Sequence, residues 1–283
     1  MSLLQAVVLG VLQGATEFLP VSSSGHLVLI PWLLRWDSPG LAFGAVVHWG
    51  TALAVLVYFR WEWVAIARDA VASLRKILTS PPRIPKTDDA GGTEGGRSVL
   101  AWLIIVGTVP GVLVGYLLED FFEGMFARPA AAAGFLLVTA ILLTASERAE
   151  QRQRGLHDLG WLDALIVGVG QALAIFPGIS RSGATIAAGL ARGMKRESAA
   201  HFSFLLATPI ILGAGLLKVV ELGRMGGLAA QLTPLIAGFL AAVLVGFGCI
   251  HFLLRYLQRR RLYPFAAYCA LLGLFSLLVM VLR

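Results

Sequence analysis

The chain has 283 residues, 58% hydrophobic and only 14% charged, with a formal net charge of +7 and a mean hydropathy of +0.81. A soluble domain carries about 25% charged residues, so this chain lacks the polar surface to cover a core in water, which excludes a soluble enzyme, a disordered chain and a nucleic-acid-binding domain. Its apolar runs are long and continuous rather than alternating, which argues against a membrane β-barrel and for an all-α polytopic membrane protein.

In chain order, residues 3–34 are apolar but broken by Pro20-Val21-Ser22-Ser23-Ser24-Gly25-His26. Each arm is short for a hydrocarbon layer of roughly 30 Å. The start lacks the basic, apolar, small-residue pattern of a cleaved signal peptide and reads as part of the mature fold. Residues 41–59 form a span holding His48 and Gly50. Segment 61–77 reads as an amphipathic surface helix with a basic face. Loop 78–98 is Pro/Gly-rich, polar and flexible, and is assigned no chemistry. Spans follow at 99–118 and 129–145. Residues 161–191 are broken again, by Pro177-Gly178-Ile179-Ser180-Arg181-Ser182-Gly183, with a helix expected over 184–191. Spans at 201–220, 233–254 and 263–282 complete the chain. Cys249 and Cys269 lie in apolar runs and read as small core residues, with no disulfide framework and no zinc spacing.

Charge position orients these elements. Seventeen of the 23 Lys and Arg residues fall in four segments, 60–98, 146–160, 192–200 and 255–262. The positive-inside rule places all four in the cytoplasm. Segments 146–160 and 192–200 flank 161–191, so that region enters and leaves on one side as a re-entrant hairpin. Working backwards, 3–34 is a second hairpin entering from outside, and both termini lie outside. The expected fold is six transmembrane helices plus two opposed re-entrant hairpins, in a single membrane domain covering 1–283.

An internal repeat supports it. Shifted by 158, Gly10, Val11, Gln13, Phe18, Ser22, Ser24 and Gly25 meet Gly168, Val169, Gln171, Phe176, Ser180, Ser182 and Gly183. This is read as an inverted-topology repeat, about 1–145 and 161–283, which places a site near the midplane between broken helices.

Charges at membrane depth are costly and functional by default. Glu17 and Arg181 are the two that matter. Glu17 follows Gln13 by one helical turn, on the same face. A buried Glu17–Arg181 ion pair is one reading. The other is an anion site, because the Arg181 fork suits phosphate, Ser180, Ser182 and Thr185 add hydroxyls, and a helix N-terminus attracts anions. Ser22, Ser23 and Ser24 are singly loop fillers, but beside them His26 can be general base, general acid or phosphoryl acceptor. The other four histidines, His48, His157, His201 and His251, rank lower; His48 faces an apolar span and could support such a site from behind its first contacts. Nothing resembles a cluster of several metal ligands, so a Mg²⁺ would rest on Glu17 with substrate phosphates and water. Glu119, Asp120 and Glu123 read as a solvated acidic face.

The stretch Gln13-Gly14-Ala15-Thr16-Glu17-Phe18-Leu19-Pro20-Val21-Ser22-Ser23-Ser24-Gly25-His26 resembles the (Glu/Gln)-x-x-x-Glu motif and Ser/His loop of the undecaprenyl-diphosphate phosphatases, the bacitracin-resistance proteins. Pro177-Gly178-Ile179-Ser180-Arg181-Ser182-Gly183-Ala184-Thr185 resembles their Pro-Gly-x-Ser-Arg-Ser-x-x-Thr motif. The first motif opens on Gln13 rather than Glu, a variant the family pattern allows. The resemblance implies hydrolysis of undecaprenyl diphosphate to the monophosphate and phosphate. It also implies a divalent cation (Mg²⁺ or Ca²⁺), a bacterial inner membrane, recycling of the cell-wall carrier lipid for peptidoglycan synthesis and cell shape, and bacitracin resistance. Expected catalytic residues are Glu17, Ser23, His26 and Arg181. Expected substrate contacts are Gln13, Ser22, Ser24, Ser180, Arg181, Ser182 and Thr185, and expected metal ligands are Glu17 and Gln13. Whether Ser23 or His26 is the nucleophile stays open. The partners implied are a polyprenyl diphosphate, membrane lipid and no nucleic acid; a homodimer is the ordinary oligomer to expect. A lipid transporter or flippase with the same midplane site is the alternative; an intramembrane serine protease would leave Glu17 and Arg181 without a role.

Overall fold

The computed structural model describes the backbone of all residues except 80–92, 127, 149–152 and 226–227, and does not describe the side chains of 41, 76–98, 119, 120, 123 and 217–231. Loop 78–98 and the acidic group Glu119, Asp120 and Glu123 therefore lie outside the described residues or side chains. The described elements are helices, with one 3-10 turn at Leu156–Asp158 and an isolated bridge between Arg154 and Met194. In chain order they are α1 (Leu3–Phe18), α2 (Ser23–Leu34), α3 (Gly40–Tyr58), α4 (Arg60–Thr79), α5 (Thr93–Leu117), α6 (Glu119–Phe126) and α7 (Pro129–Ser146). Then come α8 (Trp161–Leu173), α9 (Arg181–Ala191), α10 (Arg196–Met225), α11 (Leu228–Leu257) and α12 (Tyr263–Leu282).

Five stretches are long and apolar enough to cross a bilayer: Val99–Leu117, Pro129–Ser146, Arg196–Leu216, Leu232–Leu257 and Tyr263–Leu282. They match the five spans read from the sequence to within a few residues, apart from α10, which starts at Arg196. The expected sixth, α3, reaches a spanning apolar length only together with α4, which follows it at an angle of 81°. The turn at Phe59 takes the amphipathic helix out of line with the span. In contrast, α1 has 16 residues, α2 has 12, α8 has 13 and α9 has 11. At about 1.5 Å per residue none reaches across roughly 30 Å. Irregular backbone at that depth must be covered by protein or a cavity, and here each break is covered by the other.

Small residues make that packing possible. Helix α1 lies against α11, and α8 lies against α5. A methyl group on Gly10 would sit 2.4 Å from the Gly238 oxygen, and one on Gly168 would sit 2.3 Å from the Gly107 oxygen. Glycine lets the helix backbones touch, which is how membrane helices gain dispersion contact without a hydrophobic driving force. Gly10 and Gly168 are the residues paired by the 158-residue shift. The two broken regions thus dock on their partner helices in the same way.

The loop ends carry a polar network. Asp163 accepts from Arg154 Nη2 at 2.5 Å, Arg192 Nε at 2.6 Å and the Gly160 N–H at 2.9 Å. Hydrogen bonding to Asp163 pushes the Arg154 guanidinium above its usual range. Glu147 accepts from Arg196 and from the Leu262 N–H. Segments 146–160, 192–200 and 255–262, which the sequence places on one side of the membrane, are thereby linked to one another or to neighbouring helix starts.

Candidate active site

Glu17, in the last turn of α1, is 5% exposed. Four side chains converge on it from four helices. Gln13 Nε2, one turn earlier, donates to Oε2 at 2.9 Å. Ser23 Oγ, the first residue of α2, donates to the same oxygen at 2.6 Å. Arg181, the first residue of α9, donates to Oε1 through Nη2 at 2.9 Å and Nε at 3.3 Å. His48 Nε2, from α3, stands 3.7 Å from Oε2. Arg181 Nη1 also donates to the Ser203 carbonyl of α10 at 3.2 Å. The buried ion pair therefore exists, and it sits inside the polar cluster rather than apart from it. A buried charge needs a partner and further hydrogen bonds, and Glu17 has both.

The two serine loops are built alike. Ser22 Oγ caps α2 by accepting from the Gly25 N–H at 3.2 Å, and Ser180 Oγ caps α9 by accepting from the Gly183 N–H at 3.0 Å. Ser22–Ser24 and Ser180–Ser182 hydroxyl pairs each stand at 3.2 Å. The loops interlock: Gly178 N–H donates to Ser24 Oγ at 3.4 Å, and Ser182 Oγ donates to the Leu19 carbonyl at 3.2 Å. Thr139 of α7 donates to the Gly178 carbonyl and accepts from the Ser180 N–H. These contacts hold Ser23 and Arg181 against Glu17 from opposite halves of the chain.

One expectation is corrected here. The second motif was expected to open a helix over 184–191, with Arg181 in the loop. The helix begins at Arg181, because the Ser180 cap satisfies an N–H that a helix start leaves free. Ser22 holds φ 71°. A serine held at positive φ, in the region that favours glycine, stores strain, and such strain concentrates at functional positions.

Not every expected residue reaches Glu17. Thr185 Oγ1 lies 2.6 Å from Ser203 Oγ and donates to the Arg181 carbonyl. It braces the first turn of α9. Ser22, Ser24, Ser180 and Ser182 serve the caps and the interlock described above. His26 is 1% exposed, with Nδ1 2.7 Å from the Ser22 carbonyl and Nε2 2.7 Å from the Tyr268 hydroxyl. His201 pairs with Glu62, and His251 faces the Tyr58 hydroxyl. Among the described residues no group of three or more His, Cys, Asp or Glu could hold a metal. Cys269 is buried and Cys249 partly so. Sequence reasoning missed Ser203, Thr139 and Tyr268. Each is a hydroxyl in an apolar span, which is the one signal that could have raised it.

The family described as bacitracin resistance protein BacA matches residues 6–275. Curated relatives run the full length of the chain. An undecaprenyl-diphosphatase of Moorella thermoacetica is 44% identical over 283 residues, covering 100% of both chains. One of Thermomicrobium roseum is 42% identical, covering 99% of this chain and 98% of the relative. One of Nitrosococcus oceani is 42% identical, covering 96% and 97%. With both motifs in place around Glu17 and a match over nearly its whole length, the chain belongs to the bacitracin resistance protein BacA family.

Proposed function

We propose that this membrane protein is a phosphatase that hydrolyses undecaprenyl diphosphate to undecaprenyl phosphate and inorganic phosphate. The observation that carries the proposal is the meeting of Ser23, Glu17 and Arg181 at one buried point. A hydroxyl donating at 2.6 Å to a carboxylate is the arrangement of an activated nucleophile and its base. Ser23 Oγ attacks the terminal phosphorus, its proton passes to Glu17, and the bond from phosphorus to the lipid-side bridging oxygen breaks. Water then cleaves the phosphoseryl bond. His26 is the weaker candidate for attack, because it is 1% exposed and both ring nitrogens are engaged. Arg181 stabilises charge on the transferring group. When the diphosphate enters, its oxygens compete with Glu17 for the guanidinium, which lets the carboxylate act as base.

A divalent cation, Mg²⁺ or Ca²⁺, is part of the proposal. The residues fit one: Glu17 offers a carboxylate oxygen, and Gln13 Oε1 is buried with no hydrogen-bond partner among the described residues. These two would hold it, and the ion would neutralise phosphate oxygens during the transfer. Gln13 thus serves the cation, while Ser180, Ser182, Ser22, Ser24 and Thr185 shape the pocket that receives the phosphates. The polyprenyl tail stays in lipid between the helices.

The proposal further takes the chain as an inverted repeat, about 1–145 and 161–283, in a bacterial inner membrane with both termini outside. In that setting the enzyme recycles the cell-wall carrier lipid and confers bacitracin resistance. The relatives quoted above all carry the hydrolase name, and no observation favours transport. Purified protein in detergent is expected to release phosphate from undecaprenyl diphosphate with Mg²⁺ present, and to stop when EDTA is added. Lipid movement in vesicles without phosphate release would overturn the proposal in favour of a transporter.

A further inference from the structure

His26 lies between two oxygens of different kinds. A carbonyl oxygen only accepts hydrogen bonds, so the 2.7 Å contact with the Ser22 carbonyl places a proton on Nδ1. The neutral ring then presents its lone pair at Nε2. Tyr268 Oη, 2.7 Å away, is the donor to it. The two rings lie parallel, with an interplanar angle of 2° and centroids 5.6 Å apart. Tyr268 comes from α12, outside both motifs, and is 44% exposed, whereas His26 is 1% exposed. Both ring nitrogens of His26 are thus engaged, and of the two partner residues Tyr268 is the exposed one.

We propose that Tyr268 is the positioning residue and proton relay of His26. Its hydroxyl locks the imidazole as the Nδ1–H tautomer and carries to Nε2 the proton released by the attacking water. The step balances. A bond forms between the water oxygen and phosphorus as the bond from phosphorus to Ser23 Oγ breaks. The water proton goes to Tyr268 Oη while the phenolic proton goes to His26 Nε2. Glu17 returns to Ser23 the proton taken in the first step. The relay rests on the phosphatase mechanism proposed above and names the group that serves its second half.

The test uses the full-length protein in detergent, with undecaprenyl diphosphate as substrate. Tyr268→Phe keeps the ring and removes the hydroxyl. It is expected to lower kcat about 100-fold, the scale of one positioned proton-transfer group, with KM within about threefold. His26→Gln is expected to fall to a similar level. The double variant is expected to be no slower than the slower single variant, because the two residues act as one unit. In ¹⁵N-histidine spectra, wild-type His26 is expected to show one tautomer with an unprotonated Nε2, and Tyr268→Phe a changed Nε2 resonance. Tyr268→Phe within twofold of an active wild type, additive losses in the double variant, or an unchanged His26 resonance would each overturn the relay alone. A wild type that releases no phosphate would overturn the phosphatase mechanism and the relay with it.

Discussion

Arg181 uses three nitrogens at once, two on Glu17 and one on the Ser203 carbonyl. A lysine offers a point charge and cannot keep that fork. Arg181→Lys is therefore expected to lose activity nearly as fully as Arg181→Ala, about 100-fold or more in kcat, measured as phosphate release; a Lys variant near wild type would mean that charge alone suffices. Ser23 and His26 can be told apart by trapping. Substrate labelled in the terminal phosphate, quenched during turnover, is expected to leave label on the peptide holding Ser23 and none after Ser23→Ala. Label on His26 would transfer the nucleophile to the imidazole. Glu17 and Arg181 were legible in the sequence because charges at membrane depth need a reason to be there, and Gln13 and Ser23 because they stand in the motif around Glu17. His48 was legible only as a polar residue facing a span. Tyr268 and Ser203 were not, because they come from α12 and α10 and meet the site only once the helices are packed.

At the level of elements, the broken helices depend on backbone approach and on buried charge. Gly178 has φ 103°, and a methyl group there would lie 2.2 Å from the Ala132 oxygen. Gly178→Ala is expected to lower the melting temperature in detergent sharply or prevent accumulation of folded protein. Gly134→Ala, where a methyl group meets nothing within 4 Å, is expected to be neutral or slightly stabilising, since Ala outranks Gly in a helix by about 1 kcal/mol. Equal behaviour of the two would remove the packing argument. Asp163 binds two arginines while 2% exposed. Asp163→Ala is expected to cost about 1.5–3 kcal/mol, the scale of a hydrogen bond to a charged group, because the two arginine side chains left behind are about a third exposed; it is read as a fall in thermal stability, and an unchanged melting temperature would show that the cluster contributes nothing. The spans were legible because apolar length is a strong signal. The start of α9 was not, because the Ser180 cap is a local hydrogen bond hidden among several serines.

Across the whole molecule, the shift of 158 residues relates the serine caps, the hydroxyl pairs and the close helix contacts at Gly10 and Gly168. The same shift places Ser23 opposite Arg181 and Glu17 opposite Ile175. Equivalent backbone positions thus bring different side chains to one carboxylate, so a repeated scaffold yields a single asymmetric site. The orientation is open to labelling: in a Cys249→Ala, Cys269→Ala background, Asp37→Cys is expected to react with an impermeant maleimide in intact spheroplasts, and Arg259→Cys only after permeabilisation. The reverse pattern would invert the topology. The central claim is that Glu17 organises phosphate chemistry at this point. Phosphate release from undecaprenyl diphosphate by Glu17→Gln, compared with wild type at equal amounts of folded protein, tests it most directly. The account predicts a loss of about 100-fold or more in kcat, and a Glu17→Gln protein within twofold of wild type would contradict it.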